Sequence, residues 1–265
     1  MKLDIEGIET RVAVTPSATG TGRPKLLLIH GAANDSDAWR DISPLLAAQG
    51  INTYAPDLPG HGQSAGTPIS SIEALADWVL RLIDALKLDS VTLAGHSMGS
   101  LVALETTARN DSRINALALL GASVPMPVSE ALLDTARTAP DAACRMVTIW
   151  SHTPGFFSRG GGGHGVWGAG KTLAVMRRNS TTLATDLSNC QGYESGLASA
   201  RAISCPNLII AGKRDRMTPL RAIQPLQESL QHARRYDIDD CGHAMMTEKP
   251  KEVADALLSL LNQGS

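Results

Sequence analysis

The chain holds only four cysteines, Cys144, Cys190, Cys205 and Cys241. No two of them stand at C-x-x-C spacing, so the paired ligands of a zinc site are missing. Free thiols in a reducing compartment are the simplest reading. Basic runs are missing as well: 24 Lys and Arg stand against 26 Asp and Glu, for a net charge of −2. Without a basic block or stripe, nucleic acid is not an expected partner. No apolar stretch is long enough to span a bilayer. The first residues, Met1-Lys2-Leu3-Asp4-Ile5-Glu6, lack the apolar core of a secretory signal. Together these absences predict a cytoplasmic protein with no membrane partner. What remains is a globular composition, 265 residues and 43% hydrophobic, enough for one large α/β domain with a sizeable core or two small domains.

Apolar runs and helical patterns alternate along the chain. Lys2 to Thr15 reads as a hairpin turning at Gly7. Lys25 to Gly31 is a continuous apolar run, as in a strand buried on both faces. A helix is expected from Ala38 to Gln49, stopped by Gly50, and a strand from Ile51 to Pro56. Asp57 to Ser64 is a turn-rich loop. Ser71 to Leu86 places Ile72, Leu75, Trp78, Val79, Leu82 and Leu86 on one helical face. Val91 to Gly95 and Ile114 to Leu120 are further strands. Cys205 to Gly212 and Arg235 to Ile238 are the last two, with helices at Leu220–Leu230 and Lys251–Leu261. The alternation predicts an α/β fold with a mostly parallel sheet and helices on both faces. Between about Ser123 and Ala200 strands stop, which predicts a helical cap (123–200) inserted into a core made of 1–122 and 201–265. An insertion at the carboxyl edge of a parallel sheet is placed to wall a ligand crevice.

Gly95-His96-Ser97-Met98-Gly99 lies between the Val91 strand and the helical pattern from Ser100. The five-residue pattern is common by itself and carries weight only with a strand before it and a helix after it. In that setting it is a nucleophile elbow. Its glycines allow a tight turn, its serine is held out above the sheet, and the helix start behind it favours negative charge. A serine hydroxyl needs a base. Of seven histidines, His243 follows the last strand, where Gly242 permits a sharp loop. His30 ends a strand and can approach the same crevice. His96, next to Ser97, is expected to direct its side chain away from it. His61, His152, His164 and His232 read as solvated or structural. The base needs a carboxylate to orient it. Asp215 follows the strand ending at Gly212, on the sheet edge of the elbow. Asp239 and Asp240 are too local to His243, and Gly121-Ala122-Ser123 offers no carboxylate.

Leu28 to Gly31, Asp57 to Ser64, Gly95 to Gly99, Gly212 to Pro219 and Gly242-His243 together resemble the α/β-hydrolase superfamily. The likeness is to its group of cofactor-free esterases, haloperoxidase-like enzymes and meta-cleavage-product hydrolases. The resemblance implies the α/β-hydrolase fold, no cofactor and no metal. It implies a triad in the order Ser97, Asp215, His243, and oxyanion donors at the backbone N–H groups of Met98 and Ala32. Two positions depart from the family pattern. Ala32 stands where a bulky residue is common, and Ser100 where a second glycine is common.

Gly165-Val166-Trp167-Gly168-Ala169-Gly170-Lys171-Thr172 fits a phosphate-loop pattern, but no buried strand precedes it, so nucleotide binding is rejected. The glycines Gly160 to Gly163 suit a hinge that opens and closes the cap. Met126, Met146, Trp150, Phe156, Phe157, Trp167 and Met176 in the cap, with Met217 and Met245 near the triad, are candidate walls of an apolar pocket. The expected activity is hydrolysis of small carboxylic esters or lactones through an acyl-enzyme on Ser97, with a small-molecule acyl substrate as partner. Carbon–carbon bond hydrolysis or perhydrolysis by the same triad is the enzymatic alternative. A hydrolase-fold ligand receptor with little turnover is the alternative of another class.

Overall fold

A strand buried on both faces sends its side chains alternately into two cores, and the centre of this protein is built that way. The computed structural model describes residues 1–19, 24–158 and 167–262. Its strands are β1 (Lys2–Ile5), β2 (Ile8–Thr15), β3 (Lys25–Ile29), β4 (Asn52–Pro56), β5 (Val91–His96), β6 (Ile114–Leu120), β7 (Asn207–Gly212) and β8 (Arg234–Ile238). They form one sheet in the order β1-β2-β4-β3-β5-β6-β7-β8. The pairs β1/β2 and β2/β4 are antiparallel, and the remaining pairs are parallel. Leu27 and Ile29 of β3, Leu117 and Leu119 of β6, and Ile209 of β7 enter one hydrophobic core. Leu26, Leu28, Ala118, Leu120, Leu208 and Ile210 enter the other. Each fully buried Leu or Ile contributes about 1.5–3 kcal/mol by leaving water.

Helices cover both faces. α1 (Ser43–Ala48), α2 (Ile72–Ala85) and α3 (Met98–Ala108) follow β3, β4 and β5. The expected helix over Ala38–Gln49 is two pieces, a 3-10 turn at Ser36–Trp39 and then α1. Pro44 is the reason: its missing N–H and its ring are tolerated only in a first helical turn. α2 is capped by Ser71, whose hydroxyl accepts the Ala74 N–H at 3.1 Å, and it buries the predicted face Ile72, Leu75, Trp78, Val79 and Leu82.

Between β6 and β7 lie α4 (Glu130–Thr138), α5 (Pro140–Ser151), α6 (Pro154–Ser158), α7 (Gly168–Arg178), α8 (Leu183–Gly192) and α9 (Gly196–Ala202). Leu132, Leu133, Ala143, Val147, Met176, Leu183 and Leu187 of this segment form a third hydrophobic cluster, which reaches the core through Ala33. α9 packs on α3, and Ala200 belongs to the first core. Gly168 to Thr172 of the phosphate-loop pattern are the first turn of α7. Gly165 and Val166 of that pattern and the glycines 160–163 lie outside the described residues, and Trp167 directly precedes α7. α10 (Leu220–Ser229), α11 (Met245–Glu248) and α12 (Pro250–Leu261) complete the chain. Among the described residues no helix is long and apolar enough to cross a membrane.

The turn from β5 into α3 is the tightest backbone crossing in the fold. A Cβ on Gly95 would lie 2.0 Å from the Gly99 carbonyl oxygen, and one on Gly99 2.3 Å from that of Ile29. Gly99→Ala is therefore expected to lower the unfolding free energy by about 2–3 kcal/mol, since backbone must shift. Gly192→Ala, with nothing within 4 Å of the added carbon, is expected to stay within about 1 kcal/mol of wild type. Urea unfolding midpoints of the two variants check the contrast.

Candidate active site

Ser97 sits between β5 and α3 at φ 54, ψ −121. A non-glycine residue held there costs of order 1–3 kcal/mol and persists only where its surroundings over-determine it. They do so here: the Ser97 N–H donates to the Leu120 carbonyl at 2.9 Å, and the Ser97 carbonyl accepts the Ser100 N–H at 2.8 Å. The Ser100 hydroxyl donates to the Gly95 carbonyl at 2.6 Å and accepts the Leu120 N–H at 3.1 Å. The position where a glycine was expected thus staples the elbow to β6.

Asp215 and His243 meet across the ends of β7 and β8. His243 Nδ1 donates to Asp215 Oδ2 at 2.8 Å, which leaves Nε2 as the ring's acceptor. The Asp215 carboxylate is otherwise saturated. Oδ1 accepts the N–H groups of Met217 and Thr218 at 2.8 and 2.9 Å, and Oδ2 accepts the Thr218 hydroxyl at 2.8 Å. Burial would raise its pKa, but the His243 charge and these hydrogen bonds outweigh it and bring Asp215 down to about 2. Gly121, where no carboxylate was found, has its own use. At φ 56 it makes room for the imidazole, since a Cβ there would lie 3.0 Å from His243 Nδ1. Ser97 and His243 line the same cavity. The Ser97 hydroxyl makes no hydrogen bond among the described residues, and serine–base contacts commonly tighten only when substrate binds.

The two candidate oxyanion donors flank the serine. Met98 is the first residue of α3, so its N–H has no acceptor within the helix. Gly31 comes close enough that a Cβ there would be 3.1 Å from Ser97 Cβ. That approach brings Ala32 onto the cavity wall.

The other buried histidines are struts. His30 Nδ1 donates to the Gly31 carbonyl at 2.9 Å and its Nε2 accepts the Leu58 N–H at 3.0 Å. Both nitrogens are used, so His30 has none left to accept a proton from Ser97. Burial, and then the charge on His61, lowers its pKa to about 4. His96 turns from Ser97, as expected, but toward the base. Its Nε2–H donates to the His243 carbonyl at 2.9 Å, and the two rings lie 4.8 Å apart. Burial and the His243 charge push His96 down to about 3, so it holds the base loop as a neutral ring. Thr218 and His96 were missed as supports. The only signal for either was nearness in sequence to Asp215 and Ser97.

The cavity above the serine measures about 390 Å3, within the range of small-ligand sites. Met126, Trp150, Met176 and Met217 line it, as the sequence suggested, together with Leu132, Val147 and Leu187. Other candidates are corrected. Phe156 stacks on His152, with ring centroids 5.4 Å apart. Trp167 is 44% exposed and covers Gly170. Met146 packs on the third cluster. Met245 is buried in the second core, and its neighbour Met246 lines the cavity instead. The Phe157 side chain lies outside the described residues. Charged groups at the cavity are largely paired with each other: Arg40 with Asp37 at 2.8 Å, and Lys171 with Asp41 at 3.6 Å.

A family model described as the alpha/beta hydrolase family matches residues 26–256. The chain belongs to that family. This α/β hydrolase is 29% identical to a pimeloyl-(acyl-carrier protein) methyl ester esterase of Aromatoleum aromaticum, over 88% of its own length and 96% of the relative's. It is 27% identical to a 2-hydroxy-6-oxo-6-(2'-aminophenyl)hexa-2,4-dienoic acid hydrolase of Metapseudomonas resinovorans, over 97% and 89% of the two chains. A thermophilic esterase from Thermogutta terrifontis superposes with a TM-score of 0.84 at 22% identity, covering 99% of this chain and 98% of that one. That last likeness shows the shared fold.

Asp215 bears on pH in a definite direction. Its folded pKa lies below its usual 3.8, so its contribution to stability is present above pH 3.8 and lost as pH falls through about 2. It is a carboxylate at neutral pH. Unfolding free energy is therefore expected to fall as pH drops from about 4 toward about 2, where Asp215 takes up its proton. Asp215→Asn is expected to lose about 10⁴-fold in kcat. Urea unfolding of wild type at a series of acid pH values and a steady-state assay of the variant check both, and an unfolding free energy that does not change across this range would show that Asp215 is not held ionised by its partners.

Proposed function

We propose that this α/β hydrolase cleaves small carboxylic esters or lactones through an acyl-enzyme on Ser97. The observation that carries the reading is the 2.8 Å His243–Asp215 bond at the cavity lined by a serine held at φ 54. In this mechanism His243 Nε2 takes the Ser97 proton as Oγ attacks the carbonyl carbon. The Ala32 and Met98 amides donate to the oxyanion, each worth about 2.7–4 kcal/mol of barrier. The imidazolium, stabilised by Asp215, protonates the leaving alkoxide, and water then resolves the acyl-enzyme by the same route. The apolar walls from Met126, Trp150, Met176 and Met217 suit an uncharged acyl or alcohol group, and methionine adapts to varied shapes. The methyl ester esterase among the relatives supports the ester reading.

The M. resinovorans relative, matched over nearly the whole chain, supports a second reading. In it the same triad hydrolyses a carbon–carbon bond of a ring-cleavage product.

Pre-steady-state hydrolysis of a p-nitrophenyl ester is expected to show a burst of about one equivalent, and a fluorophosphonate is expected to label Ser97. Ser97→Ala should abolish the labelling and cut turnover by at least about 10⁴-fold. Unchanged turnover in that variant would remove Ser97 from the mechanism. Slow ester turnover beside fast cleavage of a vinylogous diketone would favour the second reading.

A further inference from the structure

The loop after β3 that carries Ala32 is gripped from above by the corner joining α7 and α8. Asp186 on α8 reaches down, and its Oδ2 accepts the Ala33 N–H at 2.8 Å and the Thr182 hydroxyl at 3.0 Å. The same oxygen accepts from His61 Nε2 at 2.9 Å, and both side chains of that pair are at most 2% exposed. The other ring nitrogen of His61 faces the Pro59 carbonyl at 3.0 Å. Both nitrogens thus face acceptor oxygens, an arrangement that favours the imidazolium form. Burial disfavours that charge, but the hydrogen bond and charge of Asp186 outweigh it and raise the His61 pKa. Beside this pair, Arg178 clamps Asp35 with bonds of 2.6 and 2.7 Å. Asn179 donates to Asp35 Oδ2 at 2.9 Å and accepts the Gly62 N–H at 2.7 Å.

One peptide unit receives the force of this clasp. Its N–H end, at Ala33, is held by Asp186. Its carbonyl end, at Ala32, accepts from Asn34 Nδ2 at 2.9 Å. Ala33 stands at φ 49, a left-handed conformation that alanine adopts at a cost. A peptide plane pinned at both ends fixes the direction of the preceding amide, the Ala32 N–H, which donates to no acceptor among the described residues.

We propose that Asp186 is a positioning residue for the oxyanion site: by holding the Ala33 N–H it aims the Ala32 amide at the substrate carbonyl. Seating of the α7–α8 corner and completion of the oxyanion hole are then one event. The proposal rests on the serine-hydrolase reading above. Asp186 touches no substrate and acts through the backbone.

Two variants separate positioning from simple stability. Asp186→Asn keeps an acceptor oxygen without the charge. Asp186→Leu combined with His61→Leu replaces a buried ion pair with apolar groups, an exchange that is often neutral or stabilising, and leaves the Ala33 N–H without its acceptor. The double variant is expected to stay folded at the assay temperature, with an unfolding temperature lowered by no more than the loss of one buried hydrogen bond, and to lose about 10²-fold in kcat, with KM changed by less than about 3-fold. The rate of fluorophosphonate labelling of Ser97 should fall in parallel. Asp186→Asn is expected to retain kcat within about 5-fold. A folded double variant with wild-type kcat and labelling rate overturns the proposal, as does a loss confined to KM. Should the double variant unfold, Asp186→Asn decides: a wild-type melting curve with a hundredfold lower kcat overturns it, and retained kcat supports it. Wild-type protein that neither takes the fluorophosphonate nor turns over an ester defeats the functional reading instead, before any variant is made.

Discussion

Backbone lying against backbone at Gly95 and Gly99 is the constraint on which the rest of the site depends. At this crossing α3 starts directly against the ends of β3 and β5, with no room for a side chain at either glycine. The chain can make the turn only by putting Ser97 at φ 54. β5 can hold that strain because it is a central strand, paired with β3 on one side and β6 on the other. One steric fact thus exposes the hydroxyl, leaves the Met98 amide without a helical partner, and brings the Gly31 turn within contact of the serine.

The parallel sheet does the remaining assembly. Strands that run in one direction deliver their following loops to one edge, so His243 after β8, held by Asp215 after β7, lines the same cavity as Ser97 although both lie far from it in sequence. The buried histidines show how surroundings decide the role of one residue type. His30 and His96 are neutral because burial disfavours their charge, and each offers one nitrogen as a donor strut to a neighbouring carbonyl. His61 is shifted the other way, toward its charged form, because a carboxylate lies at 2.9 Å from one nitrogen and a carbonyl at 3.0 Å from the other. His243 is the one whose Nδ1 is engaged by a carboxylate while its ring lines the cavity.

Most of the site's polar support comes from pairs distant in the chain. The His61–Asp186 bond joins residues 125 apart, and the Ala33–Asp186 bond residues 153 apart. Asp186 has no distinctive neighbours in sequence, and His61 lies in a loop to which the sequence assigned no chemistry. A pattern of periods and spacings cannot register such a pair, because neither partner alone differs from a surface residue. The pocket walls were hard to read for a related reason. A large apolar side chain has the same sequence signature whether it faces a cavity or a core. Met245 and Met246 are adjacent and both pack in the second core, yet only Met246 also reaches the cavity. Phe156 and Trp167 found a neighbouring ring and a helical glycine to cover instead.

The sequence by itself determined what short-range geometry controls. The elbow glycines, the strand alternation that makes two cores and the Ser71 cap all follow from local sterics and periodicity, while the order of Ser97, Asp215 and His243 came from the family resemblance. Pro44 belongs to the same class: it breaks the Ala38–Gln49 helix for a local reason that the sequence already displayed. The tertiary structure alone decided which side chains face the cavity, which buried histidines stay neutral, and which residue of α8 holds the loop bearing Ala32. Those outcomes depend on burial and on partners brought in from distant segments, and both exist only once the helices between β6 and β7 are packed over the sheet edge.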